Sequence, residues 1–237
     1  MTDAFFTLHD GLEREGPGDR ESLDWALALA APPPDAFMLD AGCGPGADIA
    51  RLLAHAPRGR VLAMDRHAPF VARVLERFSG DGRVWAMRGD MAAPPGRYDL
   101  IWCAGALYFL GIENGLRGWR RHLAPGGRVA FSQLAWQVAD PSAEARAFWA
   151  KAYPEMTDAA GVLAAVAAAG YRVLGQCWLP DAAWEAYLGP LDARCDALAP
   201  GAAEDLRAVI AEQRAEAALW RAHRDEFGYL QLVVEAA

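Results

Sequence analysis

Three glycines at alternate positions in Leu39-Asp40-Ala41-Gly42-Cys43-Gly44-Pro45-Gly46 make a turn where backbone can approach a ligand closely, because no Cβ stands in the way. Such a turn, between an apolar run and a helical one, suits a small cofactor. Gly42, Gly44 and Ala47 also satisfy the loose dinucleotide pattern G-x-G-x-x-G/A, so the glycines alone do not choose between cofactors.

The acids that follow make the choice. Asp65, closing the next apolar run, is placed to accept two hydrogen bonds from a ribose diol, a group shared by both cofactor classes. Asp40 ahead of the glycines and Asp90 in Arg88-Gly89-Asp90-Met91 would repel a pyrophosphate. They suit the cationic sulfonium and ammonium groups of S-adenosylmethionine and the donor amino group of its adenine. The set favours that cofactor over a nicotinamide dinucleotide.

To position these residues the chain needs strands that end together. With 237 residues, 54% of them apolar, it has material for one sizeable core. Short apolar runs alternate with segments of helical period, the pattern of βαβ units. Strands are predicted at Phe37–Asp40, Val61–Asp65, Arg83–Met87, Asp99–Cys103, Arg128–Leu134, Tyr171–Trp178 and Tyr229–Val234. Helices are predicted at Ala47–His55, Pro69–Phe78, Glu113–His122 (closed by Pro125-Gly126-Gly127) and Ala159–Ala169, the last capped by Thr157 and ended by Gly170. The fold class is α/β. Residues 1–237 are read as a single domain, with residues 1–33 as an N-terminal lid and helix and residues 181–226 as a helical cap inserted before the last strand.

A formal charge of −8 and the lack of any Lys/Arg-rich run argue against nucleic acid as partner. Neither a secretory leader nor a membrane span is legible, so the expectation is a cytoplasmic enzyme without membrane attachment. Cys43, Cys103, Cys177 and Cys195 form no C-x-x-C pair and the five histidines no H-x-x-x-H pair, and no metal is expected. Whether the chain acts alone or as a homodimer stays open.

The glycine turn, Asp65, Gly89-Asp90-Met91 and Leu123-Ala124-Pro125-Gly126-Gly127 together resemble the class I S-adenosylmethionine-dependent methyltransferases, including the ubiquinone-biosynthesis-like group. The resemblance implies a Rossmann-like, mostly parallel seven-stranded sheet whose last strand runs antiparallel. It places Asp40, Gly42, Cys43, Gly44 and Gly46 around the methionine moiety, bordered by Cys103 and Ala104. It puts Asp65 on the ribose, with Arg66 beside it, and Asp90 and the Met91 backbone on the adenine. Across nearly the whole chain, Arg14-Glu15-Gly16-Pro17-Gly18, Leu100-Ile101-Trp102, Gly105-Ala106-Leu107-Tyr108, Phe148-Trp149, Tyr153-Pro154-Glu155, Leu179-Pro180 with Trp184 and Tyr187, and Phe227-Gly228-Tyr229 look like a group of bacterial small-molecule methyltransferases. Members of that group carry acids where this chain has Ala104 and Gln133.

Methyl transfer from a sulfonium needs alignment of the acceptor more than a nucleophile from the protein. A crevice beyond the strand ends would bring Tyr108, Gln133, Trp136, Trp149 and Tyr153 to a small, partly apolar acceptor. Tyr108, Glu155 and His9 are candidates for moving a proton from an oxygen or nitrogen acceptor. Two alternatives accompany this reading: a silent partner subunit that binds S-adenosylmethionine without turnover, and an NAD(P)-dependent oxidoreductase.

Overall fold

A computed structural model describes residues 2–237. Seven strands form one sheet in the order β3-β2-β1-β4-β5-β7-β6. They are β1 (Phe37–Ala41), β2 (Arg60–Asp65), β3 (Val84–Arg88), β4 (Tyr98–Ala104), β5 (Leu123–Trp136), β6 (Tyr171–Trp178) and β7 (Phe227–Ala236). The pairs from β3 through β5 are parallel, while β7 is antiparallel to both its neighbours. Only the last strand is therefore reversed. Strand order turns outward in both directions from β1 and β4, which opens a crevice at their carboxyl ends, next to the glycine turn.

The central strands are continuous apolar runs because helices cover both faces. On one face Leu39, Ile101, Val129 and Phe131 pack with Leu116 and Trp119 of α5 (Ile112–Trp119) and with Val162 and Val166 of α7 (Ala159–Ala168). On the other, Met38, Val61 and Trp102 meet α2 (Arg20–Ala30), α3 (Ile49–His55) and α4 (Ala68–Arg77). A third apolar cluster gathers α1 (Asp3–His9), α6 (Ala143–Ala152), α8 (Asp181–Leu198) and α9 (Glu204–Ala222) around Trp149, Trp184, Trp220 and Phe227. Trp184 and Trp220 stack there with centroids 4.9 Å apart. The segment 181–226 thus holds two helices with their own apolar contact to the N-terminal helix.

Several boundaries differ from expectation. Strand β5 starts at Leu123 opposite Tyr98, yet regular pairing with β4 resumes only at Arg128 opposite Leu100, so Pro125-Gly126-Gly127 forms an irregularity at the strand's head. The cap of α7 is Asp158 rather than Thr157: the Asp158 carboxylate accepts from the Gly161 amide at 2.8 Å, while the Thr157 carbonyl accepts from the Trp136 amide at 2.9 Å. Helices α1 and α6 were not anticipated individually. All four cysteines are free. Among the described residues no helix is long and apolar enough to cross a membrane.

The α7 cap is open to measurement. Asp158→Ala should destabilise the protein by about 1 kcal/mol, lowering Tm by roughly 2–4 °C in a chain of this size; Thr157→Val should leave the cap intact and cost less.

Candidate functional site

Gly42, Gly44 and Gly46 have φ of 75°, 50° and 85°, left-handed values that glycine alone adopts without strain. The resulting coil is tied to β2. The amides of Gly42 and Cys43 both donate to the Met64 carbonyl, at 2.9 and 3.0 Å, and the Gly44 amide donates to the Asp65 carboxylate at 3.0 Å. The Gly46 amide donates to the Cys43 carbonyl at 3.0 Å. These four amides are spent inside the protein, which leaves none of them to cradle a pyrophosphate.

A cavity of about 590 Å³ opens over this turn. Of the residues singled out for the cofactor, Asp40, Gly42, Cys43, Gly44, Asp65, Arg66, Asp90, Met91 and Ala104 line it. Gly46 does not. A Cβ there would lie 2.8 Å from Val74 and 2.9 Å from Ile49, so this glycine lets α3 and α4 pack closely. Cys103 also stays out of the cavity wall, since its side chain is buried in the core on the α5 face of the sheet.

The acids differ in what they have for partners. Asp65 is fixed by the amides of Gly44 and of His67, the latter at 2.8 Å. The Asp90 carboxylate takes the Ala92 amide at 3.0 Å and the Arg66 guanidinium at 2.5 Å, and these bonds hold its pKa below the usual carboxylate range. Asp48, beside the turn, takes Arg14 at 3.1 Å and the Trp102 indole N–H at 2.9 Å. Asp40 is only 3% exposed and has neither a hydrogen-bond donor nor an ion-pair partner among the described residues. Burial, reinforced by the charges of Asp48 and Asp65, pushes its pKa well above the ordinary value.

The N-terminal segment forms the opposite wall. Phe5, Phe6, Arg14, Glu15, Gly16 and Pro17 line the cavity. The Phe6 ring stacks on His67 at 3.5 Å and meets Phe70 edge-on at 6.0 Å. Glu15 sits over the turn, and its Oε2 lies 2.7 Å from His9 Nδ1. Burial raises the Glu15 pKa, with His9 opposing. Sequence reasoning missed Phe5, Phe6, Asp48, His67 and Phe70, and took Arg14 and Glu15 only as lid residues. Asp48, two residues past the last glycine, had a legible signal; the aromatic residues had none.

Of the residues assigned to the acceptor, only Tyr108 reaches this cavity. Burial, with Glu216 and Tyr153 adding to it, raises its pKa, so the phenol stays neutral at physiological pH and can both donate and accept a hydrogen bond. Gln133 is buried, donating to the Tyr153 hydroxyl at 3.1 Å. Trp149 is packed against Phe227 at 5.3 Å. Trp136 lines a separate surface recess with Asp158. Glu155 is exposed, and His9 is buried behind Glu15.

Residues 38–127 match the family of methyltransferase domains. The chain is 30% identical over 143 residues to a malonyl-[acyl-carrier protein] O-methyltransferase of Pseudescherichia vulneris, and 31% identical over 161 residues to its namesake in Salmonella typhimurium. These matches cover 56% and 61% of this chain and the same shares of the relatives, so it spans less than two thirds of the curated relatives it matches. An S-adenosylmethionine-dependent methyltransferase from Geobacter sulfurreducens, crystallised with S-adenosylhomocysteine, superposes with a TM-score of 0.85 at 19% identity, over 100% of this chain and 99% of the other. The whole chain has the fold of this S-adenosylmethionine-dependent methyltransferase. In this fold the turn, the three acids and the cavity coincide at the carboxyl ends of β1, β2 and β4 and just past that of β3.

Asp40 supplies a pH test. Its folded-state pKa lies above its unfolded value, so the native protein binds the proton more tightly. Stability contributed this way is present below the unfolded pKa and lost as pH rises toward the folded one. Without ligand, Asp40→Asn should therefore lose less Tm than wild type between about pH 5 and about pH 8; equal losses would mean that Asp40 is not held protonated.

Proposed function

We propose that the protein transfers the methyl group of S-adenosylmethionine to a small, partly apolar acceptor by in-line displacement, with the donor held in the cavity over the glycine turn. One observation carries this placement: Asp40 is a buried carboxylate that the protein leaves without a cation, at a turn whose amides are already spent. Such a site is suited to a ligand's positive charge and unsuited to its phosphates. When bound, the donor supplies an activated methyl group and a thioether leaving group.

The chain's own residues then divide the work of binding. Asp40 and Glu15 face the cationic methionine end, and Arg14, anchored on Asp48, is within the same wall to meet its carboxylate. Asp65, its side chain already oriented by two backbone amides, keeps acceptor capacity for a ribose diol. Phe6, His67 and Phe70 offer apolar surface to the adenine, while Asp90 and the Met91 backbone lie at its edge. The Trp119 indole donates to the Met91 carbonyl at 2.6 Å, which fixes the Met91 backbone. Helix α1 and residues 14–17 exclude water from this half of the cavity, consistent with a lid. Tyr108 closes the far end, where the acceptor must approach.

The donor assignment is tested by calorimetric titration with S-adenosylhomocysteine and, separately, with a reduced nicotinamide dinucleotide. Saturable binding of the nucleoside and none of the dinucleotide is expected. Asp65→Ala removes two charge-assisted bonds of roughly 1.5–3 kcal/mol each, so the nucleoside should bind at least about ten-fold more weakly. Dinucleotide binding without a nucleoside response would overturn the reading.

A further inference from the structure

Charge is unevenly placed around the donor cavity. Its charged side chains all come from the N-terminal segment, the glycine turn and the ends of β2 and β3. The wall after β4, formed by Ala104, Gly105, Ala106, Tyr108, Phe109 and Leu110, carries none, and the Tyr108 phenol is its one polar side chain. The local sequence fixes the shape of this wall. Leu107 is fully buried and anchors a single 3-10 turn, Leu107–Phe109, so that the two residues after it border the cavity. The Gly105 amide donates to the Ser132 hydroxyl at 2.9 Å, and the Phe109 and Leu110 amides donate to the Ala106 and Leu107 carbonyls at 3.2 and 3.0 Å. The Tyr108 and Phe109 rings lie 4.1 Å apart, inclined by 34°, and Phe109 is 54% exposed, an apolar ring at the cavity's rim.

An acceptor lying on this wall has to be uncharged as it enters, because an ammonium or a carboxylate would shed water there without gaining a counter-ion. It must also lose its proton without help from the wall. Glu155 is exposed and outside the cavity, and His9 is enclosed behind Glu15, whose Oε2 lies 2.7 Å from its Nδ1. Burial holds the Tyr108 phenol neutral, which makes it a poor base. Ordinary acidity then decides among the common nucleophiles. Near neutral pH, at about pH 7.5, about one thiol in ten is ionised, against roughly one phenol in three hundred, while about one alkylamine in a thousand carries a free lone pair. Sulfur is also polarizable and packs favourably against aromatic rings such as Tyr108 and Phe109.

We propose that the wall after β4 is the acceptor subsite and that it selects a small apolar thiol laid on Tyr108 and Phe109; the inference rests on the methyl-transfer reading above. The thiol crosses into the cavity neutral and gives its S–H proton to water at the Phe109 rim. The acceptor's sulfur forms a bond to the methyl carbon as the donor's S–C bond breaks, and the electron pair of that bond stays on the donor's sulfur. The thiolate becomes a methyl thioether and the sulfonium a thioether, so an anion and a cation give two neutral products. Their attraction is stronger beside an apolar wall than in water, and Tyr108 supplies one hydrogen-bond donor to the thiolate.

The full chain is incubated with S-adenosylmethionine and, in separate arms, phenylmethanethiol, phenylmethanol, benzylamine and benzoate, and methylated product is followed by mass spectrometry. The thiol is expected to turn over at least about ten-fold faster than each of the others and to gain one methyl group on sulfur. Its kcat should climb with pH until the thiol itself ionises, at or above about pH 8.5. The groups that act on Tyr108 are Glu216, Tyr153 and Cys103; a plateau well below that pH, set by any protein group, would show a base at work and overturn the proposal. Phe109→Ala, at an exposed position, should raise the thiol KM at least about five-fold while S-adenosylhomocysteine affinity stays within about two-fold. An unchanged KM would overturn the wall as the thiol's site. No thiol turnover, or faster turnover of the alcohol, amine or carboxylate, by wild type that binds S-adenosylhomocysteine would overturn the thiol assignment, and this comparison decides even where the variant does not fold. Failure of wild type to bind S-adenosylhomocysteine would instead overturn the donor reading, and this inference with it.

Discussion

The carboxylate of Asp40 sits in the sheet's interior without a positive partner, and most of the site's construction follows from keeping it so. A buried acid is tolerable only if it is protonated or if a cation arrives. The protein has guanidinium groups close by, yet directs them elsewhere: Arg14 is bound to Asp48 and Arg66 to Asp90. Asp48 is further saturated by the Trp102 indole, which crosses from β4. The neighbouring acids are thus satisfied internally, and the one that is not lies at the turn's base.

The glycines serve this arrangement more than they serve a ligand directly. Their left-handed φ values let the chain fold back so that the Gly42 and Cys43 amides reach one carbonyl of β2 and the Gly44 amide reaches Asp65. The turn is thereby fastened to the strand that carries Asp65, and its place beside that acid is set by main-chain bonds. A Cβ on Gly42 would come within 2.7 Å of Ala106, in the loop after β4. Three strand ends are held in register by a turn of five residues.

These relations explain what was legible in the sequence. Asp40, Asp65 and Asp90 could be found because each closes or follows a strand, and apolar runs of parallel strands are conspicuous. Strand bounds were near the observed ones for β1 to β4, where pairing is regular, and less so for β5 and β7, whose ends extend beyond the apolar stretch. Helix α1 spans seven residues, too few to show a period, yet it brings Phe5 and Phe6 to the cavity. Gly46 was read with its neighbours as a ligand contact, but spacing cannot distinguish a glycine that admits a cofactor from one that admits Val74 and Ile49. Trp149 and Gln133 lie on elements close to the site and point into other packing, a matter of side-chain direction that an isolated motif does not encode.

Glu216, half-buried on α9, was illegible in the sequence for a different reason. It stands among Ala, Arg and Glu residues of a helix whose charged positions mostly face solvent, and nothing local marks it as the exception. The donor half of the site is encoded by short contiguous motifs because main-chain geometry has to be right there. The other walls of the cavity are side chains from α1, α4 and the segment after β4, so they can change by single substitutions without disturbing the turn. One fold can therefore host different acceptors, because the side chains around the cavity vary independently of the turn.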